Sequence, residues 1–498
     1  MSNPMAFTYV RLASVTVNHF MAVVHGTLRL TSTDRIAHPC LLGLFGQNGS
    51  GKTTLIRALS LLKTLLTEKP TDDRWVNAVR LDSKTARLQF EFHCYADVES
   101  RATARVFFQV VLQRAPARVN PAGMLLQKEA SEVLEIQSES LWTMPADDEA
   151  AVRQHQQTLR VDASAQKMRF EPAALHEALM GRTSEFKNDL RVGQGLTAGR
   201  RTSFLFSEAL AAALQKGGEK ATESSNDCDE LLQWLRRLKQ YGQSELFVLE
   251  LSGSCRSQRN TLPLFLAEDT VGKWPDGGRC LLLPLEAPFA VAPNRIAAIR
   301  KAIEAFNRVL EQWVPGLAVG AASLGRALGP NGETVERAQL VSYKNGCEIP
   351  LSCESDGIKK MLAVLPLLVE VYNRRSLTVA ADDLDAGLFE HLFGELLKIF
   401  SQGGRGQLIF TSHNLRALEV LDSAGAAVTT ADPSNRFAHL KTLGLTGNLR
   451  DAYYRQLILG TGESLRLAFP INGGRIALAM REARQIQTPE DCSKRSRI

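Results

Sequence analysis

Apolar and polar positions along "FTYVRLASVTVNHFMAVVHGTLRL" follow a strand pattern, with β-branched and aromatic residues broken by polar ones. It predicts two or three strands. "HPCLLGLF" (38–45) is largely apolar and runs into a Gly-rich turn, as expected of a strand buried on both faces. "TTLIRALSLLKTLL" places leucine and isoleucine at helical spacing. "ARLQFEFHCYAD" and "ARVFFQVVLQR" return to strand patterning.

The pattern changes between about 116 and 290. "EALAAALQKGGEKATESSNDCDELLQWLRRLKQYG" predicts polar helices joined by a loose loop near 216–227. "SELFVLELSG" predicts a strand, and "VAPNRIAAIRKAIEAFNRVLEQWVPG" a helix between Pro293–Asn294 and Pro315–Gly316. From about 338, strands and helices alternate. Asn345–Gly346 marks a hairpin, "GIKKMLAVLPLLVEVYN" a helix, and "AGLFEHLFGELLKIF" a helix between the strands "SLTVAADDLD" and "GQLIFTSHN". That alternation predicts a parallel sheet flanked by helices. No heptad run argues for a coiled-coil arm, and no repeat period is visible.

Composition adds limits. The 498 residues exceed what one core needs. Apolar content of 44% and charged content of 22% are those of a globular chain. The longest apolar run, "MLAVLPLLVEVY", is interrupted by Pro366 and Glu370 and is too short to span a bilayer. The start has no signal-peptide pattern. Eight scattered cysteines without CxxC spacing argue against a zinc ribbon and for a reducing compartment, the cytoplasm. A net charge of +6 permits nucleic-acid contact without requiring it.

Four motifs carry chemistry. "GQNGSGKT" fits GxxxxGK[ST] with Gly46, Gln47, Asn48, Gly49, Ser50, Gly51, Lys52 and Thr53, followed by Thr54 in the helix. Glycines let backbone N–H groups close around phosphate oxygens, and a helix N-terminus faces the anion. Lys52 is placed to reach the β/γ-phosphates and the Thr53 hydroxyl to hold Mg²⁺. In "LTVAADDLDAGLF", Asp382 falls at the carboxyl end of a predicted strand, a position for the metal, and Asp383 follows as the group that orients or activates water. His413 in "FTSHN" ends the next strand, where it can bond a γ-phosphate and the attacking water. In "LSCESDGIKKML", Ser355 and Gly357 open a helix, as an anion site or as an ordinary N-cap. Lys359 and Lys360 there read as a solvated face.

In this order the motifs resemble those of ABC-type ATPase heads of the SMC/RecF/OLD class, with Walker A "GQNGSGKT", signature "SDG", Walker B "VAADD", D-loop "LDAG" and switch histidine "TSHN". More narrowly the organisation resembles bacterial AAA_15/AAA_21-type ATPases, which often serve in antiphage systems beside a nuclease or other effector. The resemblance implies an α/β P-loop NTPase head with a mixed sheet and a largely helical insertion. Expected divisions are head lobe I at 1–115, the insertion at 116–335, head lobe II at 336–460 and a C-terminal segment at 461–498. It implies ATP and Mg²⁺, a homodimer or higher oligomer in which Ser355 and Gly357 act on the partner's nucleotide, and an effector partner such as a nuclease or toxin, with no membrane. A Toprim nuclease domain is not expected.

The departures are a short signature, Asp383 where relatives carry glutamate, and no clear Q-loop. Gln89 is the candidate for that glutamine, and a plain strand residue is the other reading. Two further functions compete with a defence switch. One is a RecF-like ATP-dependent DNA-binding repair factor, using Arg200, Arg201, Arg256 and Arg259 or leaving them as solvated loops. The other is a slowly hydrolysing ATP sensor or scaffold.

Overall fold

The computed structural model describes residues 9–30, 40–97, 101–116, 132–146, 159–164, 167–181, 184–218, 223–250, 260–266, 280–329, 332–344, 346–440, 448–459 and 473–485. The alternating segments at the start build an antiparallel sheet. Its strands are β1 (Tyr9–Phe20), β2 (Val23–Arg29), β4 (Thr85–Tyr95), β5 (Ala104–Pro116), β6 (Glu132–Pro145), β7 (Arg160–Ser164) and β8 (Lys167–Glu171). Their order is β2-β1-β4-β5-β6-β7-β8. Val15 and Val17 of β1 and Leu88, Phe90 and Phe92 of β4 are buried in alternation, and an irregularity between Leu12 and Ser14 shifts the phase so that Val10 and Leu12 are buried too. The division expected at 116 falls inside this sheet. β6 pairs with β5 along its length, and Phe107 stacks on Trp142 with ring centroids 5.2 Å apart.

A second sheet carries the motifs. Its order is β19-β18-β3-β17-β16-β9, from β3 (Cys40–Phe45), β9 (Leu246–Leu249), β16 (Thr378–Ala381), β17 (Gln407–Thr411), β18 (Ala426–Thr429) and β19 (Phe437–His439). All pairings are parallel except β18 with β19. Strands β16, β17 and β18 are buried throughout, the mark of a sheet covered on both faces. Strand β9 comes from the middle of the expected insertion, yet it lies at the sheet edge beside β16.

One face packs on α1 (Lys52–Leu66). Leu55, Leu59, Leu62 and Leu66 join a core that runs through the antiparallel sheet to α2 (Ala173–Met180), α3 (Ser184–Arg200), α4 (Glu208–Gly218) and α5 (Glu223–Gln240). A third unit holds β10 (Thr261–Phe265), β11 (Cys280–Pro284), β12 (Phe289–Val291), α6 (Pro293–Trp313), β13 (Leu317–Leu328), β14 (Thr334–Lys344) and β15 (Cys347–Pro350). α6 begins with its proline in the first turn, where no N–H is needed. The other face of the parallel sheet packs on α7 (Asp356–Asn373) and α8 (Glu390–Gly403). α9 (Leu449–Leu459) and α10 (Gly473–Gln485) follow.

The apolar stretch of α7 is explained by two sets of neighbours. Val364, Leu367, Leu368 and Val371 pack in the core of the parallel sheet, and Met361, Leu362 and Leu365 in the core of the third unit. No helix among the described residues is long and apolar enough to cross a membrane. The hairpin at 345–346 is present as β14 paired with β15, although Asn345 lies outside the described residues.

One buried carboxylate makes the fold pH-sensitive. Glu139 of β6 accepts from the Ser203 hydroxyl and from the backbone N–H of Phe204 at 2.8 Å. Burial outweighs these donors and pushes its carboxyl from 4.5 up to about 7. A folded value above the unfolded one gives stability that is complete below pH ~4.5 and lost as pH rises through ~7. The loss amounts to about 3 kcal/mol. Glu139→Gln should therefore flatten the fall in melting temperature between pH 5 and 8. Equal slopes in the two proteins contradict this.

Candidate nucleotide site

Strand β3 delivers the glycine loop at its carboxyl end. Gly46, Gly49 and Gly51 take φ of 150°, 74° and 105°. A Cβ on Gly46 would lie 1.8 Å from Thr429 Oγ1, so only glycine fits there. Thr429 Oγ1 donates to Ser50 Oγ at 2.6 Å, and Ser50 Oγ to the Gln47 carbonyl at 2.6 Å, which pins the loop to β18. Asn48 and Gly49 are exposed at its tip. α1 starts at Lys52, with Thr53 and Thr54 in its first turn. Of its first-turn N–H groups, that of Thr54 bonds the Gly51 carbonyl at 3.1 Å, and a helix start leaves its leading N–H groups outside the i→i−4 ladder.

Lys52 is only 5% exposed, and its ammonium donates to the Gly46 and Gln47 carbonyls at 2.8 and 3.1 Å. Burial lowers its pKa, while Asp383, Asp382 and Asp385 act in the opposite direction. A cation held at a loop rich in N–H groups, with carboxylates opposite, matches the charge of a nucleotide triphosphate and its metal.

Asp382 directly follows β16 and has 0% exposure. Its Oδ1 accepts from Thr411 Oγ1 at 2.6 Å and from Thr53 Oγ1 at 3.3 Å. The hydroxyl and the carboxylate named from sequence thus meet across 329 residues of chain. Thr411 also receives the Asp383 N–H at 2.7 Å. Asp383 turns into the left-handed region, φ 47°, an unfavourable conformation for a residue with a side chain. Burial raises its pKa, Asp382 adds to the rise, and His413 and Lys360 oppose it. A raised pKa makes the carboxylate a better proton acceptor, the direction a base needs. His413 Nε2 stands 3.6 Å from Asp383 Oδ1 and the histidine is 47% exposed, open to a ligand from outside.

Ser355 is the N-cap of α7, its hydroxyl accepting from the Ile358 N–H at 3.3 Å. The capping reading of Ser355 is therefore correct in this chain. Ser355 and Asp356 are also exposed, so this helix start faces outward, as contact with a second molecule requires. Gly357 packs against the D-loop, where a Cβ on Gly387 would stand 3.2 Å from the Gly357 Cα. The lysines after it do not form a solvated face. Lys359 is buried and donates to Glu286 at 2.8 Å, and Lys360 donates to the Asp383 carbonyl at 3.0 Å.

Gln89 lies mid-strand in β4, in register with Thr16 and Gln109 of the antiparallel sheet rather than at the end of a strand beside Asp382. That position belongs to Glu250, which sequence reading passed over. It follows β9, whose Leu249 is in register with Ala381, and it is buried near Arg57 and Arg74 at 4.0 and 3.9 Å. The signal was the same one that found Asp382, an acid at the end of an apolar run. Of the candidate DNA-contacting arginines, Arg200 is exposed and Arg201 pairs with Asp73 at 3.5 Å. Arg256 and Arg259 lie outside the described residues.

A parallel sheet with β17 between the P-loop strand and the acidic strand, with the glycine loop, Asp382 and His413 at the carboxyl ends of three neighbouring strands, is the arrangement of a P-loop nucleotide-binding fold. Residues 41–115 match the family model "AAA domain, putative AbiEii toxin, Type IV TA system". No curated protein matches the sequence significantly. Among solved structures, the Smc head domain of Pyrococcus furiosus, bound to the C-terminal domain of ScpA, is similar at 10% identity with a TM-score of 0.37, over 87% of this chain and 96% of that one. The SMC head domain of Thermotoga maritima is 13% identical, TM-score 0.29, over 87% and 100%. The recombination mediator protein RecF is 11% identical, TM-score 0.33, over 88% and 100%. Likeness at this level carries no argument about function, which rests on the site itself.

Proposed function

We propose that the protein is an ATPase whose nucleotide site is completed by a second copy of the chain, and that closure of the pair switches a bound partner. The observation that carries the reading is the Thr53–Asp382 contact, 3.3 Å, at the rim of a glycine loop containing a buried lysine. Thr53 and Asp382 are the residues that would hold Mg²⁺. One carboxylate and one hydroxyl suit an ion that takes its remaining ligands from phosphate and water. Bound there, the ion would supply charge neutralisation at the phosphates.

The protein's own groups do the rest. The loop N–H groups and Lys52 bind the triphosphate. Asp383 orients the attacking water and accepts its proton, and His413, beside it, bonds the γ-phosphate. Ser355, exposed, and Gly357, half-buried beside it, meet the partner's nucleotide. α7 shares its core with both the parallel sheet and the β10–β15 unit, so a shift of its first turn on closure carries that unit along. Nucleotide drives this only through unequal affinity for the open and closed states. An effector protein such as a nuclease or toxin as partner, in bacterial antiphage defence, follows from the motif resemblance, and the family model matched over 41–115 is itself named for a putative toxin of a type IV toxin–antitoxin system.

Phosphate release from ATP tests the reading. The account expects turnover with Mg²⁺ that falls to background when EDTA removes the metal. An absence of turnover, or turnover indifferent to EDTA, overturns it.

A further inference from the structure

We infer that Lys360 is a positioning residue for hydrolysis, holding the backbone of Asp383 in its left-handed turn from the start of the signature helix. The inference rests on the ATPase reading above and goes beyond it by giving a role to a lysine of the signature helix that the reading leaves without one.

The observations converge on one peptide. Asp383 has φ 47°, which costs a non-glycine residue about 1 kcal/mol or more unless its surroundings hold it. Two elements do so. On one side, the Thr411 hydroxyl of β17 accepts the Asp383 N–H at 2.7 Å. On the other, the Lys360 ammonium of α7 donates to the Asp383 carbonyl at 3.0 Å. The Ala386 N–H reaches the same carbonyl at 3.0 Å and closes the turn.

Lys360 reaches the carbonyl along the D-loop. A Cβ on Gly387 would stand 3.7 Å from the Lys360 Cδ, and the Gly357–Gly387 approach brings the two backbones together one turn earlier. The neighbouring lysine does different work. Lys359 is tied to Glu286 at 2.8 Å and to the Ser352 carbonyl at 3.1 Å, which fastens the same turn of α7 to the third unit. The first turn of α7 is thus gripped from two sides, and one grip ends on the carboxylate-bearing residue.

The chemistry explains why this matters. Asp383 must present a carboxylate oxygen to water within hydrogen-bond reach, and a rotation of its peptide moves that oxygen by an ångström or more. Misplacement on that scale costs about 10²-fold in rate. Lys360 donates to the Asp383 carbonyl, at the acidic turn rather than at the glycine loop, so its loss should leave ATP binding alone. It also makes placement of Asp383 depend on where α7 begins, at the Ser355–Gly357 surface proposed to meet the partner's nucleotide. Hydrolysis is thereby coupled to closure.

The test is steady-state hydrolysis and ATP binding by wild type, Lys360→Met and Lys360→Arg, each as the full chain. Methionine keeps the apolar stem along Gly387 and removes the ammonium, while arginine restores a donor. We expect Lys360→Met to lower kcat by about 10- to 100-fold with KM and ATP affinity within about twofold, and Lys360→Arg to recover most of kcat. If Lys360→Met fails to fold, Lys360→Gln takes its place. Turnover by Lys360→Met equal to wild type overturns the inference alone. So does a loss of ATP affinity in step with kcat, or a failure of arginine to rescue, each the mark of a merely structural lysine. Wild-type protein without turnover overturns the ATPase reading, and this inference with it.

Discussion

Replacing Lys52 by alanine is expected to abolish ATP binding and hydrolysis while leaving the fold in place. The ammonium is buried at the glycine loop, and its hydrogen bonds go to the loop's own Gly46 and Gln47 carbonyls. Asp382, Asp383 and Asp385 are the carboxylates that act on it. Without Lys52, a triphosphate enters a site of three acids with no cation from the loop to offset them. One lost charge-stabilising donor costs about 10²–10³-fold in rate, and loss of the ground-state contact adds to that. Fluorescent-nucleotide binding and phosphate release measure the two losses. Melting temperature should fall by only a few degrees, because Ser50, Thr429 and the glycines hold the loop without the lysine. Full activity in Lys52→Ala would contradict the whole account.

The second large effect is expected far from Lys52 in sequence. Ser355→Asp keeps a good N-cap, since aspartate accepts the Ile358 N–H as serine does. It also places a negative charge on an exposed helix start, where the account has another molecule's γ-phosphate arrive. Within its own subunit this change is mild, because Ser355 is on the surface and its hydroxyl serves the helix cap. Between subunits it is severe, because like charges oppose closure. Hydrolysis should fall by about 10²-fold or more, while ATP still binds to the P-loop of the isolated chain.

The site was readable from sequence to the extent that its chemistry is local. Glycines needing positive φ and a lysine and threonine opening a helix lie within a few residues of each other, and Asp382 directly follows the apolar strand that marks it. Partners set by distant pairing were not readable. "LFVLE" announced a strand but not that its neighbour would be β16, 132 positions further along, so Glu250 was missed and Gln89 considered in its place. The same holds for Thr411 and Thr429, whose hydroxyls matter only because parallel pairing sets their strands on either side of β3. The strands β6–β8 lay behind polar helices in the pattern, and nothing local showed that they continue the first sheet. Lys359 and Lys360 sit at a polar helix start, which suggested solvent. Their partners, Glu286 and the Asp383 carbonyl, come from elements 73 residues before and 23 after.

The central claim is that one nucleotide pocket is shared by two chains. Mixing Lys52→Ala with Ser355→Asp tests it most directly. Each protein alone is expected to be inactive, the first for want of the P-loop lysine and the second for want of a neutral signature surface. A mixed pair holds one intact composite pocket, with the P-loop of one chain and the Ser355 surface of the other. Random pairing at equal concentrations should restore about a quarter of wild-type turnover, since half the pairs are mixed and each has one of two sites. Phosphate release from the mixture that stays at the sum of the two inactive proteins would contradict the shared pocket.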